Sequence, residues 1–143
     1  MFARSSPTAH ISTLNIPEST MPALGIRDTQ LSELLQNDQI GKFFKGKPEE
    51  RSITQILGDS AEFDVSNHRE AYDFIWVDAC HSYENVKVDS AHAFEMVAPG
   101  GHVFWHDFDA TQPGVTSALL EMAGSRELFW IGKTSIVGFK KEN

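Results

Sequence analysis

Two short apolar runs, each ending in an acid, constrain this chain more than any other feature. Phe74-Ile-Trp-Val leads into Asp78, and Pro99-Gly-Gly-His-Val-Phe-Trp leads into His106-Asp107. Between them Tyr83, Val86, Ser90, Ala93, Phe94 and Val97 recur at spacings of three and four, the stripe of an amphipathic helix. Strand, helix, strand in that order predicts a parallel pair joined by a right-handed crossover. Parallel strands end at one edge of their sheet, so Asp78 and Asp107 are expected side by side there. Open α/β sheets bind their ligands at that edge.

The rest of the chain continues the alternation. His10–Ile16 alternates and stops at Pro17, and Ile53–Leu57 stops at Gly58; both read as strands. Residues 17–30 carry Pro17, Pro22 and Gly25 and read as loop, with a short helix opening at Thr29–Leu35. A helix is expected over Ser60–Ala71, and a strand over Asp73–Val77. Ser82 can cap the helix that follows, and Pro99-Gly100-Gly101 should end it and turn the chain. His102–Trp105 is the next strand. Thr111 or Gln112 caps a further helix with Pro113 in its first turn and Gly124 at its stop. Leu128–Ile131 and Ser135–Phe139, joined by Gly132-Lys133-Thr134, predict an antiparallel hairpin. The fold class is α/β, with a mostly parallel, layered sheet in a single domain over residues 1–143.

Charge narrows the function. The net charge is -8, and residues 59–109 concentrate the acids with only Arg69 and Lys87 as bases. Nucleic-acid binding needs clustered Lys and Arg and is not expected. The single cysteine, Cys80, cannot form an internal disulfide, and no apolar run is long enough for a membrane span. A cytoplasmic protein without membrane contact is the expectation.

Three strand ends carry candidate ligand-facing groups: Asp59-Ser60, Asp78 and His106-Asp107. They are expected along one edge, with His81 three residues past Asp78. Magnesium takes one or two carboxylates plus water, and imidazole titrates near working pH. Asp78 and Asp107 can thus hold a cation, with His81 or His106 as a further ligand or base. Asp59 also fits a simple cap before Ser60. Cys80 reads as a small packed side chain, and Trp76 and Trp105 as core.

Taken together, Leu57-Gly-Asp-Ser60, Asp73 to Glu84, Asp89, Pro99-Gly-Gly and His106-Asp107 resemble the class I S-adenosylmethionine-dependent methyltransferases. The nearest branch acts on small molecules and includes macrocin O-methyltransferase and cephalosporin-hydroxylase-like proteins. The resemblance spans about residues 10–140. It implies a Rossmann-like sheet with an antiparallel last strand and methyl transfer from S-adenosylmethionine to a small-molecule hydroxyl. It implies cofactor contacts from Asn15, Asp59, Ser60 and Asp78, catalysis by Asp78 with His81 as base, and a Mg²⁺ site of Asp78, His106 and Asp107. Here His106 stands where the family has an acid, and Asn15 stands where it has the acid that holds the ribose.

The family's first strand and glycine-rich loop should precede His10–Ile16. No Gly-x-Gly occurs in the chain, and residues 1–9 are too few for that element. An N-terminally truncated domain is the expectation. The exposed strand edges should be closed by pairing His10–Ile16 with Phe74–Val77, or by a homodimer. Cofactor binding should be weak. The alternative is a catalytically inactive remnant serving as an interaction or oligomerisation module.

Overall fold

A computed structural model describes residue 6, residues 8–17 and residues 40–143. The helix expected at Thr29–Leu35 lies outside the described residues. The chain divides into two compact units, residues 1–63 and 64–143.

In the first unit β1 (Ile11–Asn15) pairs parallel with β2 (Ile53–Leu57), from Ile11 opposite Ile53 to Asn15 opposite Leu57. The Gly58 N–H donates to the Asn15 carbonyl at 2.9 Å, which joins the two carboxyl ends. His10 Nε2 meets Thr54 Oγ1 at 2.8 Å beside the other end. Gly41 turns the chain ahead of β2 at φ +78°; a Cβ there would meet Gln55 Oε1 at 2.8 Å. Only glycine adopts that conformation without strain.

The helix expected over Ser60–Ala71 is instead two short 3₁₀ turns, Ser60–Glu62 closing the first unit and Val65–His68 opening the second. The reason is local. Asp59 accepts the Ala61 N–H and Asp64 accepts the Ser66 N–H, both at 2.9 Å. Each Asp starts a new turn through its own side chain, and such bonds compete with a continuous helix. Asp64's carboxyl is held below its ordinary range by the bonds from Ser66.

The second unit holds β3 (Tyr72–Val77), α1 (Tyr83–Met96), β4 (Val97–Trp105), α2 (Pro113–Ala123), β5 (Leu128–Ile131) and β6 (Ile136–Lys140). Its sheet has the order β3-β4-β6-β5. β3 and β4 are parallel, and β6 is antiparallel to both β4 and β5. The fold is thus mixed α/β with an antiparallel C-terminal hairpin, as expected. β1 and β3 share no ladder, so the anticipated direct pairing does not form among the described residues. Each instead pairs with the strand next in sequence.

Ser82 caps α1 by accepting the Asn85 N–H. Val86, Ser90 and Ala93 form its buried face, the stripe expected from spacing. α2 buries Val115, Ala118, Leu119 and Met122. Both helices pack on one face of the sheet, against Val97, Val103, Trp105 and Val137. Trp105 donates its indole N–H to Ser90 Oγ at 2.9 Å, and Ser90 donates to the Val86 carbonyl at 2.5 Å. The one buried polar side chain among the described residues is thereby satisfied. On the outside, Lys87 Nζ meets Glu121 Oε1 at 2.9 Å and Tyr83 also bonds Glu121, linking the two helices. The Lys87 and Tyr83 bonds hold Glu121's carboxyl below its ordinary range, and the Glu121 bond raises Lys87.

The Pro99-Gly100-Gly101 segment is not the expected turn. α1 passes directly into β4, and the segment is an irregularity within that strand, with Gly100 at φ +77°. The pairing with β3 shifts register here, from Tyr72 opposite Val97 to Phe74 opposite His102. A Cβ on Gly101 would lie 3.0 Å from the Asp73 carbonyl, so β3 approaches as close as glycine allows.

Candidate functional site

The parallel pairing of β3 and β4 brings their carboxyl ends together. The His106 N–H donates to the Val77 carbonyl at 3.1 Å, which fixes Asp78 beside His106-Asp107. Asp107 sits in the left-handed region at φ +61°, a conformation Asp tolerates better than most residues. Its carboxylate lies between two imidazoles: His81 Nε2 is 3.0 Å from Oδ2, and His106 Nδ1 is 2.8 Å from Oδ1. His106 Nδ1 lies 3.9 Å from Asp78 Oδ1, and His106 Nε2 is 3.4 Å from Ser135 Oγ.

One potential ligand atom each from Asp78, His81 and Asp107 lie within 4.8 Å of one another. Of the three strand-end acids expected on one edge, Asp78 and Asp107 are assembled in one cluster with His81, whereas Asp59 follows β2 of the separate two-stranded sheet. The set that converges contains His81, while His106 supports Asp107 from behind. The cluster lines a recess of about 10 Å³ together with Cys80 and Val115, room for one water-sized body.

α2 holds this corner in place. Its second residue, Gly114, packs so closely on the loop before α1 that a Cβ would overlap the His81 carbonyl and lie 2.8 Å from the Tyr83 N–H. Asp109 stays out of the cluster. Its Oδ1 accepts from the Thr111 N–H at 2.7 Å and from Thr111 Oγ1 at 2.6 Å. Those bonds, aided by nearby His106, hold its carboxyl below the ordinary range.

Asn15, Asp59 and Ser60 lie at or just beyond the carboxyl edge of the β1–β2 sheet. Asp59 uses Oδ1 as a cap, as its place before Ser60 foretold.

Two expectations are corrected. Trp76 is not core: it is 39% exposed, because both helices cover the opposite face of its strand. Cys80 is exposed rather than packed, since it stands in the loop between β3 and α1. Trp76 is also a neighbour of the site that composition alone did not reveal. Its ring centroid lies 5.9 Å from that of His106, and its Nε1 reaches toward Asp78 Oδ2 at 3.5 Å. The signal was present, because residues two apart in a strand share a face and Trp76 precedes Asp78 by two. Ser135 had no such signal. It arrives from the β5–β6 turn through tertiary folding alone.

Sequence comparison decides the family. Residues 12–108 match the family described as Methyltransferase domain. The chain belongs to this methyltransferase-domain family. No curated protein matches it in sequence. Among solved structures, the O-methyltransferase NovP superposes with a TM-score of 0.69 at 13% identity, over 99% of this chain and 64% of NovP. CalS11, titled a TDP-rhamnose 3'-O-methyltransferase of calicheamicin biosynthesis, gives 0.54 at 18% identity, over 94% of this chain and 60% of CalS11. The N-methyltransferase NodS from Bradyrhizobium japonicum WM9, solved with S-adenosyl-L-homocysteine, gives 0.53 at 14% identity, over 96% of this chain and 81% of NodS. These likenesses establish a Rossmann-like methyltransferase fold. The methyltransferase-domain chain spans less than two thirds of NovP and CalS11.

Proposed function

We propose that this protein transfers a methyl group from S-adenosylmethionine to the hydroxyl of a small molecule. The observation that carries the reading is the Asp78–His81–Asp107 cluster, set at the carboxyl edge of a parallel pair in a methyltransferase-domain chain. Such edges are where α/β sheets take ligands.

The residues present suit the cofactor by their chemistry. Asn15, Asp59 and Ser60 offer amide, carboxylate and hydroxyl groups at a sheet edge, suited to ribose and adenine. When bound, S-adenosylmethionine supplies a methyl group already activated as a sulfonium. The chain's own part is then positioning and proton acceptance. Asp107 favours the His81 tautomer with its proton on Nε2, which leaves Nδ1 as the basic atom. His81 Nδ1 takes the acceptor's proton, and the Asp107 carboxylate stabilises the resulting imidazolium. His106 and Ser135 hold Asp107 in place.

The same donor set also suits a divalent cation such as Mg²⁺, held by Asp78 and Asp107 with His81 or His106 completing the ligands. It would lower the pKa of the acceptor hydroxyl. Mg²⁺ should then raise the melting temperature of the wild type and leave Asp78→Asn unchanged. An equal rise in both removes the cation from the proposal.

Formation of S-adenosylhomocysteine in the presence of hydroxyl acceptors tests the reading directly. His81→Gln and Asp78→Asn should each lower turnover by roughly 100-fold or more, the usual scale for a general base. Undiminished turnover in both variants would overturn the assignment.

The remaining parts of the proposal are a single domain and a cytoplasmic, membrane-free setting without nucleic-acid partners. The acidic charge supports the last of these, and no described helix is long and apolar enough to cross a membrane. A second reading, an interaction or oligomerisation module, is favoured by the exposed Phe74, Trp76 and Phe129 and by the edge of β3 that carries no ladder among the described residues. A dimer in light scattering that Trp76→Asp dissolves, with no cofactor binding, would favour it.

A further inference from the structure

We propose that Gly114 is a positioning residue of this site. Its missing Cβ lets α2 lie against the His81–Tyr83 backbone, and that contact sets His81 against Asp107. The inference deepens the methyl-transfer reading above, and its kinetic test rests on that reading.

The contact is backbone on backbone. Gly114 is the second residue of α2. A Cβ built on it would overlap the His81 carbonyl, lie 2.8 Å from the Tyr83 nitrogen and 3.2 Å from the Ser82 carbonyl carbon. No flexible side-chain end stands there to give way. Gly138 is the contrast, since its crowded neighbours are the Phe129 and Phe104 rings.

An added methyl at Gly114 must move something, and the loop is what can move. α2 is locked by its buried Val115, Ala118 and Leu119, and α1 by Val86, Ser90 and Ala93. Close-packed helices of this kind give little. The loop between β3 and α1 is held more lightly. Its Cys80 and His81 are exposed. Its side-chain tie to α1 is the Ser82 cap, a long bond of 3.3 Å from the Asn85 N–H.

His81 has no slack to absorb the shift. Its Nε2 stands 3.0 Å from Asp107 Oδ2. A hydrogen bond of that length does not survive a displacement on the order of 1 Å. Misplacing a reacting group by that much can cost about 100-fold in rate. Asn15, Asp59 and Ser60, assigned above to the cofactor, belong to the other unit. The loss should therefore fall on kcat and spare cofactor binding.

Gly114→Ala is the test, read by turnover on the wild type's best hydroxyl acceptor and by calorimetric titration with S-adenosylhomocysteine. We expect kcat to fall about tenfold or more, with the KM for S-adenosylmethionine and the S-adenosylhomocysteine Kd within about twofold of wild type. The calorimetric stoichiometry counts folded molecules, so kcat is read per folded molecule. Ser82→Gly loosens the same loop without adding an atom and should lower kcat in the same sense. It decides the question if Gly114→Ala does not fold, and full turnover in it would then overturn the proposal. Leu120→Ala, on the exposed side of α2, should leave kcat unchanged. Unchanged kcat in Gly114→Ala, or a loss of S-adenosylhomocysteine affinity that matches the loss of kcat, also overturns the proposal. So does a crystal structure of Gly114→Ala in which His81 still bonds Asp107. Wild-type protein that neither binds S-adenosylhomocysteine nor methylates any acceptor sinks the methyl-transfer reading alone. The crystal structure of the variant then decides for Gly114.

Discussion

The two faces of the four-stranded sheet are built from the same strands and meet opposite fates. Trp76 and Trp105 occupy neighbouring parallel strands, one residue of register apart. Trp105 faces α1 and α2 and is 1% exposed, whereas Trp76 faces away from them and is 39% exposed. Around Trp105 the buried side chains are mostly aliphatic, with the Phe94 ring 5.7 Å from its own, and a single hydroxyl, Ser90, meets the indole N–H. The face that carries Trp76 is covered by rings: Phe74 tilted on Phe104, Phe104 edge-to-face with Phe129, and His106 tilted on Trp76 at the site end. The helix-backed face carries stability, and among the described residues the ring-covered face stays partly exposed. Burial here is decided by what packs on a strand, since the composition of the two faces is similarly apolar.

The sharpest test of that division is a pair of truncations. Trp105→Ala should destabilise the protein by about 3–5 kcal/mol, the usual cost of emptying a buried aromatic site. Trp76→Ala should cost less than about 1 kcal/mol, as most changes at half-exposed positions do. Urea unfolding of both variants measures the contrast, and equal losses would abolish it. Ser90→Ala leaves the Trp105 N–H buried without an acceptor and should cost roughly 1–3 kcal/mol. The same curves report it. Gly138→Ala probes the other face. Its Cβ would lie 2.5 Å from the Phe129 ring and 2.8 Å from that of Phe104. Those rings border solvent and can swing aside, so the loss should stay near 1 kcal/mol, the low end for overpacking.

The smallest effect concerns pH. Glu121's lowered pKa contributes stability that is present above its unfolded value, about 4.3, and is lost as pH falls through the lower folded value. Lys87's raised pKa contributes below its unfolded value, about 10.4, and that part is lost as pH rises through the higher folded value. Glu121→Gln should therefore flatten both the acid and the alkaline limb of the stability profile. Both groups are solvent-screened, so the change should be slight. An unaltered profile would show that this surface pair contributes nothing.

Periodicity made most of the second unit legible. The α1 stripe, the Ser82 cap, the Gly124 stop and the C-terminal hairpin follow from spacing and turn chemistry. The juxtaposition of Asp78, His81 and Asp107 followed from the strand-helix-strand order, because parallel strands must end together. Other features were decided by tertiary contacts that no local window contains. Gly100-Gly101 looks like a turn, and it lies within β4 because β3 packs against it. Asp59 and Asp64 stop a helix with self-contained caps that compete with the weak helical pattern of Ser60–Ala71. The partnership of Ser135 with His106 joins residues from different strand ends and had no signature in either.

The sheet topology also sets an order of assembly. β5 and β6 face each other across the Lys133 turn, where Trp130 donates to the Thr134 carbonyl at 2.7 Å. Their pairing needs the shortest loop closure and should form first. β3 and β4 pair across a single helix and should come next. β1 and β2 pair parallel across the whole stretch between Asn15 and Ile53. Non-local parallel pairing is the slow kind, because the loop must close before any contact rewards it. In pulsed hydrogen exchange, amides of β6 should gain protection early and those of β2 last. The cluster at Asp78 and Asp107 is thus expected to exist in a folding chain before the Asn15–Asp59 edge has closed.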